Sequence, residues 1–261
     1  MKIEMKIATE AALTAGDFMM TFWNREIEIE YKGDVDLVSH VDRGAESLIL
    51  ECLHKAFPGD CIIGEESDGY KTNSSRVWIV DPLDGTTNFA HGLPHFCVSI
   101  GLVIDDMPTL GVIYDPTKNF LFTGIVGHGC FLNSKPIQVS DTDKIERALL
   151  ATGFPYDRRT NPNNNTDRAS HILKHCQGLR RAGAAALDLA YVAAGWIDGY
   201  WEDKLHPWDV AAGYALVNAA GGKVSDFKGN PVIVQDRQCV ATNSLIHQQL
   251  LGRIQEGSTY D

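Results

Sequence analysis

The chain has no long apolar run. None of its hydrophobic stretches approaches the ~20 residues that span a bilayer. Its first residues, Met1-Lys2-Ile3-Glu4, lack the apolar core of a signal peptide and carry an acid early. These absences argue against a membrane protein and against export. We therefore expect a cytoplasmic protein with no membrane partner.

Basic residues are also scarce. The 261 residues include 23 Lys and Arg against 34 Asp and Glu, which gives a net charge of −11. Nucleic acids and acidic membranes select basic surfaces, so we expect no nucleic-acid partner. An acidic protein that binds anions needs local positive charge, and bound metal ions can supply it.

Paired cysteine motifs are missing as well. None of the six cysteines lies in a C-x-x-C pair, and without a secretion signal we interpret them as buried reduced thiols. A zinc site is therefore not expected. The chain also has no internal repeat and no low-complexity linker. Its length allows either one domain or two closely packed halves.

Hydrophobic periodicity divides the chain into two patterns. Two helices and a series of short strands, typical of an antiparallel meander, come first, and strands alternate with helices from about residue 146. We predict an N-terminal α+β half, 1–145, with most of the candidate metal ligands. A C-terminal α/β half, 146–261, completes the substrate site within one compact unit. Predicted helices cover about 1–22, 42–57, 166–176, 187–194, 210–220 and 245–254, and predicted strands cover 61–63, 77–80, 98–104, 110–114, 120–125, 130–132, 148–151 and 197–201.

The segment WIVDPLDGTTNF at 78–89 is the most informative motif. An apolar run ends in Asp81 and Asp84, and a Gly-Thr-Thr step follows at once. Ligand sites in α/β sheets lie at the carboxyl ends of strands. Two carboxylates and the Leu83 carbonyl are hard oxygen ligands that suit Mg²⁺ or Mn²⁺. Amides that open a helix after Gly85 can hold a phosphate. The same residues are also typical of an ordinary Asx turn, so the motif alone does not establish a metal or phosphate site.

Three further acids stand at the ends of predicted elements. Glu65 follows a strand, Asp42 opens the second helix, and Asp209 directly precedes the helix predicted at 210–220. Each of them alone is explained as a turn acid or as a charge at a helix N-terminus. Only their combination with the 78–89 segment indicates a site.

Together these segments resemble the inositol monophosphatase family of Mg²⁺-dependent, Li⁺-sensitive phosphatases. The resemblance runs from about residue 5 to 250. It implies an α+β or α/β fold, a layered αβαβα sandwich of the inositol monophosphatase and fructose-1,6-bisphosphatase type, and a homodimer. The motifs that carry it are GEES at 64–67, DPLDGTTNF at 81–89, GHGCFLN at 127–133, RRAGAAA at 180–186 and WEDKLHPWDVAAG at 201–213.

The resemblance implies two to three Mg²⁺ ions per site, with Mn²⁺ as an alternative ion. Glu65, Asp81 and the Leu83 carbonyl match the ligands of one metal. Asp81, Asp84 and Asp209 match those of a second, and Glu65 with waters matches a weaker third site.

The resemblance also implies catalytic residues. Asp42 and Thr86 match the pair that orients the attacking water, and Glu65 is a third predicted catalytic residue. Gly85 and Thr86 match the amides that bind phosphate. Lys32, ten residues before Asp42, is the candidate match for a basic residue near the third metal.

The resemblance also implies substrate-binding residues near the same segments. Glu202, seven residues before Asp209, matches a ligand of sugar hydroxyls, and Ala185 lies in the segment that lines the same pocket. The resemblance implies that Asp84 and Asp209 contact the substrate as well. Hydrogen bonds from a neutral polyol are a good match for a carboxylate such as Glu202.

These inferences predict a Mg²⁺-dependent phosphomonoesterase. Two metals ~3.5–4 Å apart activate a water and clamp both in-line oxygens of a phosphate ester. The predicted substrate is a small polyol phosphate, above all myo-inositol monophosphate, which yields inositol and phosphate. The sequence leaves open fructose 1,6-bisphosphate, the 2′-phosphate of NADP(H) and 3′-phosphoadenosine 5′-phosphate as alternative substrates. A regulatory binding protein on the same fold is the alternative class.

Overall fold

The computed structural model describes residues 1–23, 29–31 and 37–258. Their α-helices are Lys2–Met20 (α1), His40–Ala56 (α2), Thr86–Ala90 (α3), Thr166–Leu173 (α4), Ala185–Ala193 (α5), Pro207–Ala219 (α6) and His247–Glu256 (α7). None of the helices in these ranges is long and apolar enough to cross a membrane.

Strands in the described residues form a seven-stranded sheet, a five-stranded sheet and a two-stranded ribbon. They are Ile29–Tyr31 (β1), Leu37–Ser39 (β2), Cys61–Gly64 (β3), Arg76–Asp84 (β4), Cys97–Ile104 (β5), Met107–Asp115 (β6), Phe120–Ile125 (β7), Gly129–Leu132 (β8), Lys135–Ile137 (β9), Leu149–Thr152 (β10), Gly178–Arg180 (β11), Gly199–Asp203 (β12), Lys223–Ser225 (β13) and Gln238–Thr242 (β14). The larger sheet runs from β3 to β9 in chain order, and the smaller has the order β11-β10-β12-β14-β13.

The elements stack in five layers. Helices α1 and α2 cover one face of the seven-stranded sheet, and the small side chains Ala8, Ala11 and Ala15 let α1 pack closely. Helices α5 and α6 fill the space between the two sheets. Helices α4 and α7 cover the outer face of the five-stranded sheet. The predicted αβαβα sandwich is therefore confirmed.

Two glycines of the larger sheet make room for α6. Gly101 of β5 pairs with Gly111 of β6. A methyl group added at Gly101 would lie 2.7 Å from the Ala212 nitrogen, and one added at Gly111 would lie 2.3 Å from the Ala212 carbonyl oxygen. Helix α6 is apolar on nearly all sides, as expected for a helix between two sheets. This close approach brings the first turn of α6, which carries Asp209, against the sheet that carries Asp81.

The structure corrects the predicted end of one strand. We expected it to end at Val80, but β4 continues to Asp84 because Asp81 pairs with Ser99 and Asp84 with Cys97 of β5, across a register shift. Strand β3 runs parallel to β4, so the predicted antiparallel meander holds only from β4 to β9.

Other differences concern short elements. Helix α4 ends at Leu173 rather than at residue 176, and α6 begins at Pro207 rather than at 210. Strands β1, β2, β9, β11, β13 and β14 were not predicted. All of them except β14 have only three residues, too few to show a period of their own, and pairing with neighbouring strands defines them. The predicted boundary at residues 145 and 146 separates the strands of the two large sheets, but the division into halves stays a prediction.

Candidate active site

A cavity of about 600 Å³ opens where strand ends from both large sheets meet. The structure brings nine of the ten predicted site residues to its wall. They are Glu65, Asp81, Leu83, Asp84, Gly85, Thr86, Ala185, Glu202 and Asp209. These residues come from segments up to 144 positions apart (209 − 65), so the cavity exists only in the folded chain.

Asp42 is the predicted site residue that is not among the described residues of the cavity wall. It lies in the first turn of α2 and is 2% exposed. Burial and the charge of Glu65 contribute most to the raised pKa of Asp81, and the charge of Asp42 adds to it. Lys32 lies outside the residues that the structure describes.

The end of β4 presents its oxygen atoms through a tight local network. Asp81 is 2% exposed, and its Oδ1 accepts a hydrogen bond from the Leu83 nitrogen at 3.0 Å. The Leu83 carbonyl accepts one from Thr86 Oγ1, also at 3.0 Å. Gly85 adopts φ +94° at the N-cap of α3, in the left-handed region that glycine tolerates best. This turn directs the chain from the sheet into α3 at the cavity wall.

Glu65 is held in place by a residue that sequence reasoning missed. Glu46 of α2 is buried, and its Oε2 accepts a hydrogen bond from the Glu66 nitrogen at 2.6 Å. Its Oε1 accepts another from the Ser67 hydroxyl. Gly64 permits this approach, because a methyl group there would lie 2.6 Å from Glu46 Oε1. Glu46 thus fixes the turn that carries Glu65, although the two residues are distant in sequence.

Asp84 connects the two sides of the cavity. Its Oδ2 accepts a hydrogen bond from the Ala186 nitrogen at 2.7 Å, and the Cys97 thiol lies 3.8 Å from the same atom. Asn88 makes a second connection, since its Nδ2 donates to the carbonyls of His95 at 2.7 Å and Ala182 at 2.9 Å. The β4–α3 segment is therefore fastened to the start of α5.

Asp209 lies within the first turn of α6, not before the helix as we expected. Its Oδ2 accepts a hydrogen bond from the His206 nitrogen at 2.6 Å, which forms one arm of a capping box. Pro207 starts the helix two residues earlier, because its fixed φ suits the first helical position. This cap orients the Asp209 carboxylate at the cavity wall.

Glu202 lies near the end of β12 and lines the same cavity as the aspartates. Its Oε2 accepts a hydrogen bond of 2.5 Å from the Tyr200 hydroxyl. Burial raises the pKa of Glu202 to about 7, against the lowering effect of that bond, and the Asp209 charge raises it further. The side chain is therefore a half-buried hydrogen-bond acceptor near the acidic cluster.

The dominant electrostatic feature is the burial of carboxylates, and the repulsion between neighbouring carboxylates adds to it. Burial, followed by the charges of Glu65 and Asp84, raises the pKa of Asp81 well above its usual value. Burial and the Asp209 charge raise the pKa of Asp84 to about 8. A cation bound among these groups would offset both effects.

The donor set fits a hard divalent cation. Within the described residues, no three Asp, Glu, His or Cys side chains form a preassembled metal site. The cavity wall nevertheless contains the four predicted ligand carboxylates and the Leu83 carbonyl, all of them oxygen donors of the kind that Mg²⁺ prefers. A bound cation would offset the repulsion among these groups.

Asp188 of α5 is a further acid in the cavity wall that the sequence analysis did not assign. It is 3% exposed. Burial, then the charges of Glu202 and Asp84, raises its pKa, whereas the charge of Arg181 lowers it. A single acid inside the otherwise apolar helix Ala185–Ala193 is the sequence signal that marks it.

Three basic side chains also line the cavity. Arg158, Arg181 and Lys204 are part of its wall. Lys204 Nζ forms an ion pair with Asp157 Oδ2 at 2.7 Å. This pair ties the polar loop 157–165 to the segment after β12, and it places positive charge near an otherwise acidic surface.

Known proteins resemble the chain along its whole length. A family model described as the inositol monophosphatase family matches residues 3–259. The chain is 45% identical over 248 residues to the inositol-1-monophosphatase of Synechocystis, which covers 94% of this chain and 86% of that protein. It is 42% identical over 260 residues to the Nus factor SuhB of Pseudomonas aeruginosa, which covers 96% of this chain and 95% of that protein. The solved structure of inositol monophosphatase from Anabaena superposes with a TM-score of 0.90 at 43% identity, over 98% of this chain and 96% of that one.

Proposed function

Because this chain belongs to the inositol monophosphatase family, a family of metal-dependent phosphoric monoester hydrolases, we propose that it hydrolyses a small polyol phosphate, with myo-inositol monophosphate as the preferred substrate. One observation carries this proposal. A single cavity combines a set of hard oxygen donors with a half-buried acceptor, Glu202, near the end of β12. The first feature suits Mg²⁺, and the second suits the hydroxyl groups of a polyol.

The proposed metal ligands are those that the family resemblance implies, and all of them lie in the cavity wall. Glu65, Asp81 and the Leu83 carbonyl would hold one ion, and Asp81, Asp84 and Asp209 would hold a second. Glu65 would also serve a weaker third ion, and Mn²⁺ could replace Mg²⁺. When bound, these ions lower the pKa of a water molecule and offset the charge of the phosphoryl group.

The side chains around the ligands orient the reactants. Thr86 Oγ1 donates its proton to the Leu83 carbonyl, so the lone pairs of the hydroxyl can accept a hydrogen bond from the attacking water. Asp42, behind Asp81, is the proposed partner in orienting that water. The amides of Gly85 and Thr86 are proposed to hold the phosphate oxygens.

The other wall selects the leaving group. Glu202 accepts hydrogen bonds from ring hydroxyls, and Ala185 packs beside the ring. A half-buried carboxylate on this side disfavours a leaving group with further negative charge, because two like charges would meet away from water. Inositol monophosphate is therefore favoured over fructose 1,6-bisphosphate, the NADP(H) 2′-phosphate and 3′-phosphoadenosine 5′-phosphate.

A panel of phosphate esters tests this proposal. Purified protein is freed of metal with EDTA, dialysed and assayed for phosphate release from each ester with and without MgCl₂. We expect Mg²⁺-dependent release with the highest kcat/KM for inositol monophosphate. The Asp209→Asn variant is the matched control for a contaminating phosphatase and should be nearly inactive. A higher kcat/KM for another ester would reassign the substrate, and metal-independent release would refute the mechanism.

A regulatory role is the second candidate. The similarity to a protein named Nus factor SuhB favours it. Expression of the Asp84→Asn variant in cells that lack the native chain distinguishes the two functions. Rescue of growth by this variant would indicate a role apart from catalysis, and failure to rescue would indicate that hydrolysis is the required activity.

Assembly and location complete the proposal. We propose a homodimer in the cytoplasm with no nucleic-acid or membrane partner. Light scattering on the purified protein should then report twice the chain mass of 28.7 kDa. A monomer mass at assay concentration would contradict the dimer and leave the enzymatic proposal intact.

A further inference from the structure

The carboxylate of Glu202 lies directly on the backbone of Gly153. A methyl group built at Gly153 would lie 1.9 Å from Glu202 Oε2 and 2.3 Å from Oε1, and the three nearest atoms it would meet all belong to Glu202. Gly153 follows Thr152, the last residue of β10. Any side chain at position 153 would therefore displace this carboxylate from its place in the cavity.

Asn165 joins the two strand ends beneath Glu202. Its Nδ2 donates to the Gly153 carbonyl at 2.7 Å and to Thr152 Oγ1 at 2.8 Å. Its Oδ1 accepts a hydrogen bond from Trp201 Nε1 at 2.9 Å. Thr152 Oγ1 in turn donates to the Trp201 carbonyl at 2.6 Å. All these groups are buried, so one amide side chain fixes both the surface under Glu202 and the residue before it.

The network requires an amide at position 165. Asn165 is a donor on the side of Gly153 and an acceptor on the side of Trp201, and no carboxylate can be both when ionised. The residue also adopts φ +70° as the N-cap of α4, a conformation that asparagine tolerates better than most residues. Both observations explain asparagine at this buried loop position.

We propose that Asn165 is the positioning residue for Glu202 and that Gly153 is a specificity-determining position, so that the two set the preference for a hydroxyl-bearing leaving group. This inference rests on the proposed function, because it concerns how the polyol side of the same cavity is held. Neither residue needs to touch the phosphate or the metal ions. Their effect should therefore fall on substrate choice rather than on the common chemistry of hydrolysis.

The measurement is a substrate ratio. It is kcat/KM for inositol monophosphate divided by kcat/KM for p-nitrophenyl phosphate, at saturating Mg²⁺. We expect Gly153→Ala and Asn165→Asp to lower this ratio by about tenfold or more, because small misplacements of a positioning group have effects of that size. Mg²⁺ affinity measured by calorimetry should stay unchanged in both variants.

Asn164→Asp is the matched control. Asn164 lies in the same loop and its Nδ2 donates to the Arg158 carbonyl at 2.9 Å, so the substitution breaks one comparable bond. None of the hydrogen bonds observed for Asn164 involves β10 or β12, and we expect an unchanged ratio. If Asn165→Asp does not fold, Asn165→Gly keeps the left-handed backbone and removes the amide.

A double variant tests the coupling directly. Once Glu202→Ala has removed the carboxylate, the added methyl of Gly153→Ala has nothing to displace. The double variant should therefore show the ratio of Glu202→Ala alone. Additive losses would show that Gly153→Ala acts through the fold.

Two failures can be told apart. If Glu202→Gln lowers the ratio but Gly153→Ala and the Asn165 variants do not, the positioning role is overturned and the proposed function stands. If Glu202→Gln leaves the ratio unchanged, the polyol pocket is wrong and this inference is overturned with it.

Discussion

Replacement of Asp84 by asparagine should have opposite effects on activity and on stability without metal. Asp84 is largely buried, and burial with the Asp209 charge raises its pKa to about 8. The amide is nearly isosteric, and its oxygen can still accept the hydrogen bond that Ala186 donates at 2.7 Å. The fold is therefore retained, while one negative ligand is lost.

The stability change can be worked out from the raised pKa. A carboxyl whose folded pKa exceeds its unfolded value contributes stability that is present below the unfolded pKa of 3.8 and is lost as the pH rises to about 8. At pH 7 the solution is about three pH units above the unfolded pKa, and each pKa unit corresponds to about 1.4 kcal/mol, so removal of the ionisable group should stabilise the protein in EDTA by roughly 4 kcal/mol. The melting temperature should rise by roughly 5–10 °C.

Mg²⁺ should reverse the order of thermal stability of the variant and the wild type. Metal binding stabilises the wild type by mass action, whereas the variant has one weaker ligand and gains less. Its turnover should fall on the order of 10²-fold or more. The assays are thermal unfolding at pH 7 in EDTA and in MgCl₂, together with phosphate release. Near-wild-type activity at saturating Mg²⁺, or a lower melting temperature than wild type in EDTA, would refute the reasoning.

Three further outcomes are expected. Glu202→Gln should lower kcat/KM for inositol monophosphate by about ten- to a hundredfold more than for p-nitrophenyl phosphate, because a hydrogen bond to a charged group is lost; equal losses on both substrates would mean that Glu202 serves the metals or the fold. Excess chelator should abolish phosphate release, MgCl₂ should restore it, and millimolar Li⁺ should inhibit it. Persistent hydrolysis in chelator would contradict the mechanism. Insensitivity to Li⁺ alone would leave the metal-dependent mechanism standing and change only which related phosphatases the protein resembles. Glu46→Gln should weaken Mg²⁺ binding about tenfold in calorimetry, because an amide cannot accept both hydrogen bonds that the carboxylate accepts, and the turn that carries Glu65 loosens. Glu51→Gln, at an exposed position of the same helix, is the control. Unchanged Mg²⁺ affinity in Glu46→Gln would contradict the positioning role of Glu46.

Short contiguous motifs made much of the cavity wall predictable. Asp81, Leu83 and Asp84 lie within four positions of one strand end, so their proximity follows from local geometry alone. The sequence placed Glu65 at a strand end, but its place at the same edge of the sheet as Asp81 depends on the parallel pairing of β3 with β4, which we did not predict. The predicted roles of these residues as metal ligands remain to be tested by the variants above.

Residues that act through distant partners were not predictable. Glu46 reads as an ordinary helix acid, and Asn165 as part of a polar loop, because their hydrogen bonds reach residues of other elements. Asp188 carried a local signal as a lone acid in an apolar helix. The sequence alone could not say which wall of the cavity it would join.

The sequence by itself determined the family, because contiguous motifs are local properties of the chain, and the resemblance to that family implied the layered architecture and the acidic set. Only the tertiary structure decided how the two sides of the cavity meet. That geometry depends on the contact of α6 with Gly101 and Gly111. It also depends on the hydrogen bond from the Ala186 nitrogen to Asp84 and on the close contact of Glu202 with Gly153. Such contacts join residues far apart in sequence, and their distances are fixed by close packing of whole elements rather than by any local preference.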